Sequence, residues 1–261
     1  MLVQLGSEET IYYEAAGPEG APAIIFSHSL GQGTYLWNAQ AEHFGRSFRT
    51  VVYEQRGFGR SNSQQPPNTL AGMGNDVLAL MGHLGIAKAH FCGISIGGMV
   101  GQWLGVNAAD RIQKLVLSNT AAKIGTSEFW QKRAEDTRLA GVEQFLPGSA
   151  ERWLTADFRA EHPEVVPELE NSVRRSSIAG YAAGCEVLAT TDLRDSVSQI
   201  KLPVLCIAGN EDPTTSPADL QFLAGKIPAA QYCELPSGHL SCVNRPGLWN
   251  EAVMEFLLRG N

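Results

Sequence analysis

Apolar positions along the chain alternate between two periods. Ala23-Ile24-Ile25-Phe26 is a continuous apolar run, which predicts a strand buried on both faces rather than an edge strand. Arg49-Thr50-Val51-Val52-Tyr53, Ala89 to Cys92, Ile112 to Leu117, Val204 to Ala208 and Gln231 to Leu235 read as further strands. Leu2 to Leu5 and Thr10 to Glu14 read as two antiparallel edge strands joined by a Gly6-Ser7 turn. Between them the period changes to that of a helix. Over Thr69 to Leu84, residues Leu70, Met73, Val77, Leu80, Met81 and Leu84 fall on one face. Tyr35 to Phe44 and Leu248 to Leu258 carry the same signal, and Ser216-Pro217 reads as an N-cap followed by proline at the first helical position. Strands alternating with helices predict an α/β fold built on a parallel, doubly wound sheet.

That alternation stops between Ala121 and Gln199. The segment keeps helical patterns and holds Trp130, Phe145, Trp153, Phe158 and Tyr181, too many aromatics for a solvated linker. It reads as a helical cap over 121–199, inserted into a core domain formed by 1–120 and 200–261.

Candidate chemistry concentrates at strand ends. Ala89 to Val100 predicts a short buried strand, a sharp turn and a helix, and the turn carries Gly93-Ile94-Ser95-Ile96-Gly97. This Gly-x-Ser-x-Gly spacing is that of a nucleophile elbow: the glycines let a helix cross close to neighbouring strands, and the serine is lifted above the sheet. The pattern alone is common, so its partners decide its meaning. Asp212 follows one strand in Gly209-Asn210-Glu211-Asp212-Pro213, and His239 follows the last in Pro236-Ser237-Gly238-His239-Leu240. Parallel strands bring their carboxyl ends to one edge, so Ser95, Asp212 and His239 are expected to meet as nucleophile, orienting acid and base. Glu211 is the competing acid, and Asp212 is preferred. The amide of Ile96, at the helix N-terminus, and that of Leu30, in the loop Ser27 to Gly33, are the candidate oxyanion donors. His28 in that loop reads as a residue that organises it.

Composition narrows the picture. The chain of 261 residues carries a formal net charge of -7, which argues against a nucleic-acid partner but leaves room for a local cation that binds a small anion. Five scattered cysteines without a Cys-x-x-Cys suit buried thiols in a reducing cytoplasm. No apolar stretch reaches membrane-spanning length, and Met1-Leu2-Val3-Gln4 does not begin a leader pattern, so neither membrane insertion nor secretion is expected. His43, His83, His90 and His162 show no metal-ligand spacing with cysteine, aspartate or glutamate, so no metal is expected. Gln55 to Ser61 lacks the third glycine and the helix of a dinucleotide fingerprint. Oligomeric state, including a homo-oligomer, is left open.

Four segments carry a family resemblance: Phe91 to Gly98, Asn119 to Gly125, Arg152 to Phe158 and Gly180 to Cys185. On these the chain resembles the α/β-hydrolase fold over its whole length and, within it, the 3-oxoadipate enol-lactonases. The resemblance implies a mostly parallel eight-stranded sheet flanked by helices with an inserted helical lid. It also implies opening of a carboxymethyl-bearing enol-lactone to 3-oxoadipate in aromatic catabolism, without a cofactor. The chain departs from many hydrolases in having Ser29 after His28, and Glu54 where aspartate is usual. Trp130, Arg133, Trp153 and Tyr181 are the lid residues expected at the substrate. Ser127 is read as the N-cap of a lid helix, and Trp130 and Arg133, three apart, share a face and present an apolar wall beside a cation. Arg174 and Arg175 are the next candidates for holding a substrate carboxylate. The same core also suits a carboxylesterase, a C–C hydrolase, a cofactor-free perhydrolase or a slow-turnover ligand receptor.

Overall fold

The computed structural model describes residues 1–6 and 8–259. Its centre is one sheet of eight strands: β1 (Leu2–Gln4), β2 (Thr10–Ala16), β3 (Ala23–Ser27), β4 (Arg49–Tyr53), β5 (Ala89–Ile94), β6 (Ile112–Ser118), β7 (Val204–Gly209) and β8 (Ala230–Leu235). Their spatial order is β1-β2-β4-β3-β5-β6-β7-β8. The first two strands run antiparallel and the remaining pairs are parallel. β2 is not an edge strand as its sequence suggests, because it also pairs with β4, Tyr13 opposite Tyr53. The turn expected at Gly6-Ser7 includes Ser7, which lies outside the described residues.

Strands buried on both faces divide their side chains between two apolar layers. Ile25, Val51, Phe91, Leu115 and Leu117 enter one layer, and Ile24, Phe26, Val52, Cys92 and Val116 enter the other. The first is covered by α2 (Leu70–His83) and α3 (Ile96–Asn107), with Val77, Leu80, Met99 and Leu104 fully buried. α1 (Asn38–Phe44) covers the second, with Trp37 5.5 Å from Trp249 and Phe26 5.1 Å from Trp37 between ring centroids. Full burial of one such side chain is worth roughly 1.5–3 kcal/mol, and both layers contribute many of them.

Five helices separate β6 from β7: α4 (Ser127–Ala140), α5 (Ser149–Trp153), α6 (Ala156–Glu161), α7 (Val165–Arg174) and α8 (Ile178–Thr190). α4 packs on α8, and Trp130, Ala134, Tyr181 and Cys185 extend the first apolar layer into this region. The N-cap of α4 is Thr126, whose side chain accepts from Phe129 N–H; Ser127 is the first helical residue instead. The chain returns through β7, α9 (Pro217–Lys226), β8, α10 (Ser241–Asn244) and α11 (Pro246–Leu258), which carries Trp249. Ser216 caps α9 through a capping box with Asp219, and proline follows at the first turn. Among the described residues no helix is long and apolar enough to cross a membrane.

His90 sits inside β5 with 3% of its surface exposed, and its Nδ1 has no partner. Burial, followed by the charge of Lys114, lowers its pKa from 6.5 to about 4. A folded-state pKa below the unfolded one means that the unfolded chain takes up the proton first, so this site's contribution is lost as pH falls from 6.5 towards 4. Urea unfolding of wild type and His90→Leu across pH 4–8 should therefore give a stability difference that is constant above neutrality and shifts against wild type on acidification. A difference independent of pH would mean that the ring takes its proton without penalty in the fold.

Candidate active site

The carboxyl ends of β3, β5, β6, β7 and β8 lie at one edge of the sheet, and the candidate residues follow directly from them. β5 ends at Ile94, and Ser95 stands at the turn into α3 with φ 58° and ψ -122°. This left-handed backbone is costly for a residue with a Cβ and is held from outside. Ser95 N–H lies 3.1 Å from both Ser118 O and Asn119 O, and Thr120 Oγ1 donates to Ser95 O at 2.7 Å. The glycines at either side are explained by close approach. A Cβ on Gly93 would lie 2.1 Å from Gly97 O, and one on Gly97 would lie 2.4 Å from Ser27 O.

His239 Nδ1 meets Asp212 Oδ2 at 2.8 Å, with both side chains buried. Asp212 is surrounded by donors. Its Oδ1 accepts from Thr214 N–H at 2.8 Å and Thr215 N–H at 3.1 Å. Its Oδ2 also accepts from Thr215 Oγ1 at 2.7 Å and Asn119 Nδ2 at 3.0 Å. Burial alone would raise the carboxyl pKa; the facing His239 and these donors outweigh it and hold the pKa at about 2. Glu211 is exposed, and its side chain forms no hydrogen bond to this network. Since Nδ1 is committed to Asp212, Nε2 is the nitrogen left to act on the cavity side. Ser95 and His239 line the same cavity, although no hydrogen bond joins Ser95 Oγ to the imidazole.

Neither the Leu30 nor the Ile96 amide donates a hydrogen bond to the backbone, so both remain available to an oxyanion. His28 organises the loop that bears Leu30. It is buried, its Nδ1–H donates to Ser29 O at 2.7 Å and its Nε2 accepts from Gln55 N–H at 2.9 Å. Desolvation lowers its pKa to about 4, so it stays neutral and keeps this pattern. Glu54, in the position where aspartate is usual, is also buried and accepts from Arg60 N–H at 2.6 Å.

The cavity above Ser95 has a volume of about 420 Å³. Trp130, Arg133, Trp153 and Tyr181 all line it, so the four expected lid residues come together. Arg133 Nη2 donates to Tyr181 Oη at 2.6 Å, and its guanidinium lies 4.0 Å from the Phe145 ring centroid. Arg174 and Arg175 do not line the cavity; both are exposed, and Arg174 pairs with Glu170 at 3.1 Å. The helical pattern of α7 predicts a helix but not which end of it faces the opening. Arg152 lines the cavity instead.

Three supporting residues escape sequence reasoning. Asn119 joins Asp212 to the His239 loop, since its Nδ2 also donates to Gly238 O at 3.2 Å. Thr215 completes the shell of donors around the Asp212 carboxylate. Asn244 Oδ1 accepts from Gly238 N–H at 2.9 Å and from Thr155 N–H at 3.1 Å, tying the His239 loop to the helical insertion. Only Asn119 leaves a local trace, as it directly follows a strand in the carboxyl-end row. Among the described residues no group of acidic, histidine and cysteine side chains is arranged to hold a metal ion.

The family described as alpha/beta hydrolase fold matches residues 22–246. The chain is 39% identical to 3-oxoadipate enol-lactonase 2 of Acinetobacter baylyi over 249 residues, 95% of this chain and 93% of that protein. It is 36% identical to 3-oxoadipate enol-lactonase 1 of the same organism over 238 residues, 91% of this chain and 89% of that protein. The crystal structure of the enol-lactonase from Burkholderia xenovorans matches with a TM-score of 0.93 at 36% identity, covering 96% of this chain and 97% of the other. With the strand order, the elbow at Ser95 and the buried His239–Asp212 pair, these similarities make the chain a member of the α/β-hydrolase family.

Proposed function

We propose that the chain is a serine hydrolase that opens 3-oxoadipate enol-lactone to 3-oxoadipate, with Ser95, His239 and Asp212 as its catalytic triad. The observation that carries this reading is the joint placement of Ser95, His239 and Arg133 on one cavity. The similarity to enol-lactonases over nearly the whole chain supports the choice of substrate.

In the proposed reaction His239 Nε2 takes the Ser95 hydroxyl proton while Oγ attacks the lactone carbonyl. The amides of Ile96 and Leu30 stabilise the oxyanion. Collapse breaks the ring C–O bond, and the ring oxygen leaves as an enolate that takes the proton from His239 and tautomerises to the ketone while the acyl group stays on Ser95. Water, deprotonated by His239, attacks the ester and frees the second carboxylate and Ser95. Asp212 remains ionised throughout and holds the imidazole. These steps draw on side chains, backbone amides and water alone. The place proposed for the chemistry is the cytoplasm, which suits five cysteines without a disulfide among the described residues.

The test is product analysis after incubation with the enol-lactone derived from muconolactone. Formation of 3-oxoadipate by wild type and its loss in Ser95→Ala is expected. Turnover of simple esters with no opening of the enol-lactone would reject the substrate.

Arg133 is proposed to hold the carboxylate arm, with Trp130 and Trp153 against the ring. Arg133→Leu should lower kcat/KM for the carboxylated lactone, relative to that for a small neutral ester, by roughly 2–5 kcal/mol in transition-state terms if the pair is desolvated. Equal losses on the two substrates would instead indicate a defect in packing of α4.

A further inference from the structure

The cavity beside Ser95 is lined by two arginines, Arg133 and Arg152, and by no aspartate or glutamate. That is an uneven allocation in a chain whose formal net charge is -7. Both arginines are half-buried, and neither is paired with a carboxylate among the described residues.

Phe145 brings the two together. The Arg133 guanidinium lies over its ring at 4.0 Å, and Arg152 Nη2 donates to its carbonyl at 3.2 Å. The same ring stacks on Tyr181, with centroids 5.8 Å apart and planes 8° from parallel, and Tyr181 Oη accepts from Arg133 Nε at 3.2 Å. Arg152 is fixed from the other side: its carbonyl accepts from His239 N–H at 3.3 Å, and the next carbonyl, of Trp153, accepts from Leu240 N–H at 2.9 Å. Both cations are therefore held in place, and one of them is attached through the backbone to the His239 loop.

Their hydrogen-bonding capacity is largely unspent. A guanidinium carries five N–H donors. Arg133 gives two to Tyr181 and Arg152 gives one to Phe145. Two like charges in a partly desolvated cavity repel each other. Burial, and after it the Arg133 charge, pushes the Arg152 pKa down from its ordinary value. An anion placed between them removes that repulsion and satisfies the remaining donors at once.

We propose that Arg133 and Arg152 form a two-guanidinium clamp that closes on a single carboxylate, which restricts the cavity to acyl substrates and products bearing a carboxylate a few carbons from the reacting carbonyl. The proposal builds on the reading of Arg133 given above and adds Arg152 as an equal anchor. The segment that carries Arg152 is hydrogen-bonded to the His239 loop, which fixes this anchor relative to the base.

Calorimetric titration with adipate, and with adipamide as its uncharged counterpart, tests the clamp without any turnover. Its outcome is therefore independent of whether the enol-lactone is the substrate. Adipate should bind wild type at least about tenfold more tightly than adipamide does. Arg152→Gln, which retains a donor for Phe145 O, and Arg133→Gln should each weaken adipate binding by about tenfold or more. Arg152→Lys should recover part of the loss. Because one carboxylate is shared, the double variant should lose less than the product of the two single losses. Thermal melting checks that each variant is folded, and Arg152→Lys serves as the folded comparison if Arg152→Gln is not. Equal affinity of wild type for adipate and adipamide, wild-type adipate affinity in folded Arg152→Gln, or fully multiplicative losses would each overturn the clamp.

Discussion

Ser95→Ala is expected to fold as wild type does and to lose several orders of magnitude in kcat, up to about 10⁶ where the hydroxyl is the nucleophile. The fold should survive because the substitution removes one oxygen and keeps the Cβ. The φ of 58° is imposed by neighbours that the change does not touch: Ser118 O and Asn119 O on the amide, and Thr120 Oγ1 on the carbonyl. Residual activity should come from the amides of Leu30 and Ile96 and from substrate binding, which still favour attack by water. Two measurements separate this from a loss of structure. The melting temperature should match wild type, and an activated ester should acylate wild type but leave the variant without a mass increment. A folded variant retaining activity within tenfold of wild type would remove Ser95 from the chemistry.

The sheet could be read closely from the chain because its strands are buried on both faces and bounded by polar turns. β3, at Ala23–Ser27, extends the apolar run by one residue, and β4 coincides with Arg49–Tyr53. Local pattern was weaker wherever a distant partner decides the outcome. β2 looks like an edge strand from its half-polar alternation, yet β4, lying some 35 residues further on, covers its second side. Thr126 and Ser127 are equally good caps by residue type, and only the backbone direction entering α4 distinguishes them. Ser95, Asp212 and His239 are legible as candidates because each lies in the loop at the carboxyl end of a strand. The roles of Asn119 and Asn244 are not, since each acts through a bond to a segment far along the chain, Asn119 to Asp212 and Asn244 to Thr155. Arg152 was hidden for a related reason. It lies at the end of a five-residue helix, too short for periodicity to say which face opens onto the cavity.

Asp212→Asn should reduce kcat by about 10⁴ while Glu211→Gln costs little. The argument is one of hydrogen-bond polarity. In wild type the Asp212 carboxylate only accepts: Thr214 N–H and Thr215 N–H bind Oδ1, while Thr215 Oγ1, Asn119 Nδ2 and His239 Nδ1 bind Oδ2. A carboxylate with a pKa held at about 2 accepts all of these at any working pH. Asparagine has nearly the same shape but only one accepting oxygen. The two backbone donors, which cannot turn away, retain that oxygen. The amide NH₂ then faces Asn119 Nδ2 and His239 Nδ1. Against an N–H donor, Nδ1 must become an acceptor, and the ring proton moves to Nε2. In the proposed reaction that nitrogen receives the Ser95 proton, so the base would be blocked although every heavy atom is close to its original position. Glu211 is exposed and the ring pairs with Asp212 instead, so neutralising Glu211 should leave the tautomer alone. Steady-state kinetics on both variants, with melting curves to confirm folding, decide the assignment. A larger loss in Glu211→Gln than in Asp212→Asn would transfer the orienting role to Glu211 and imply that the loop after β7 rearranges when substrate binds.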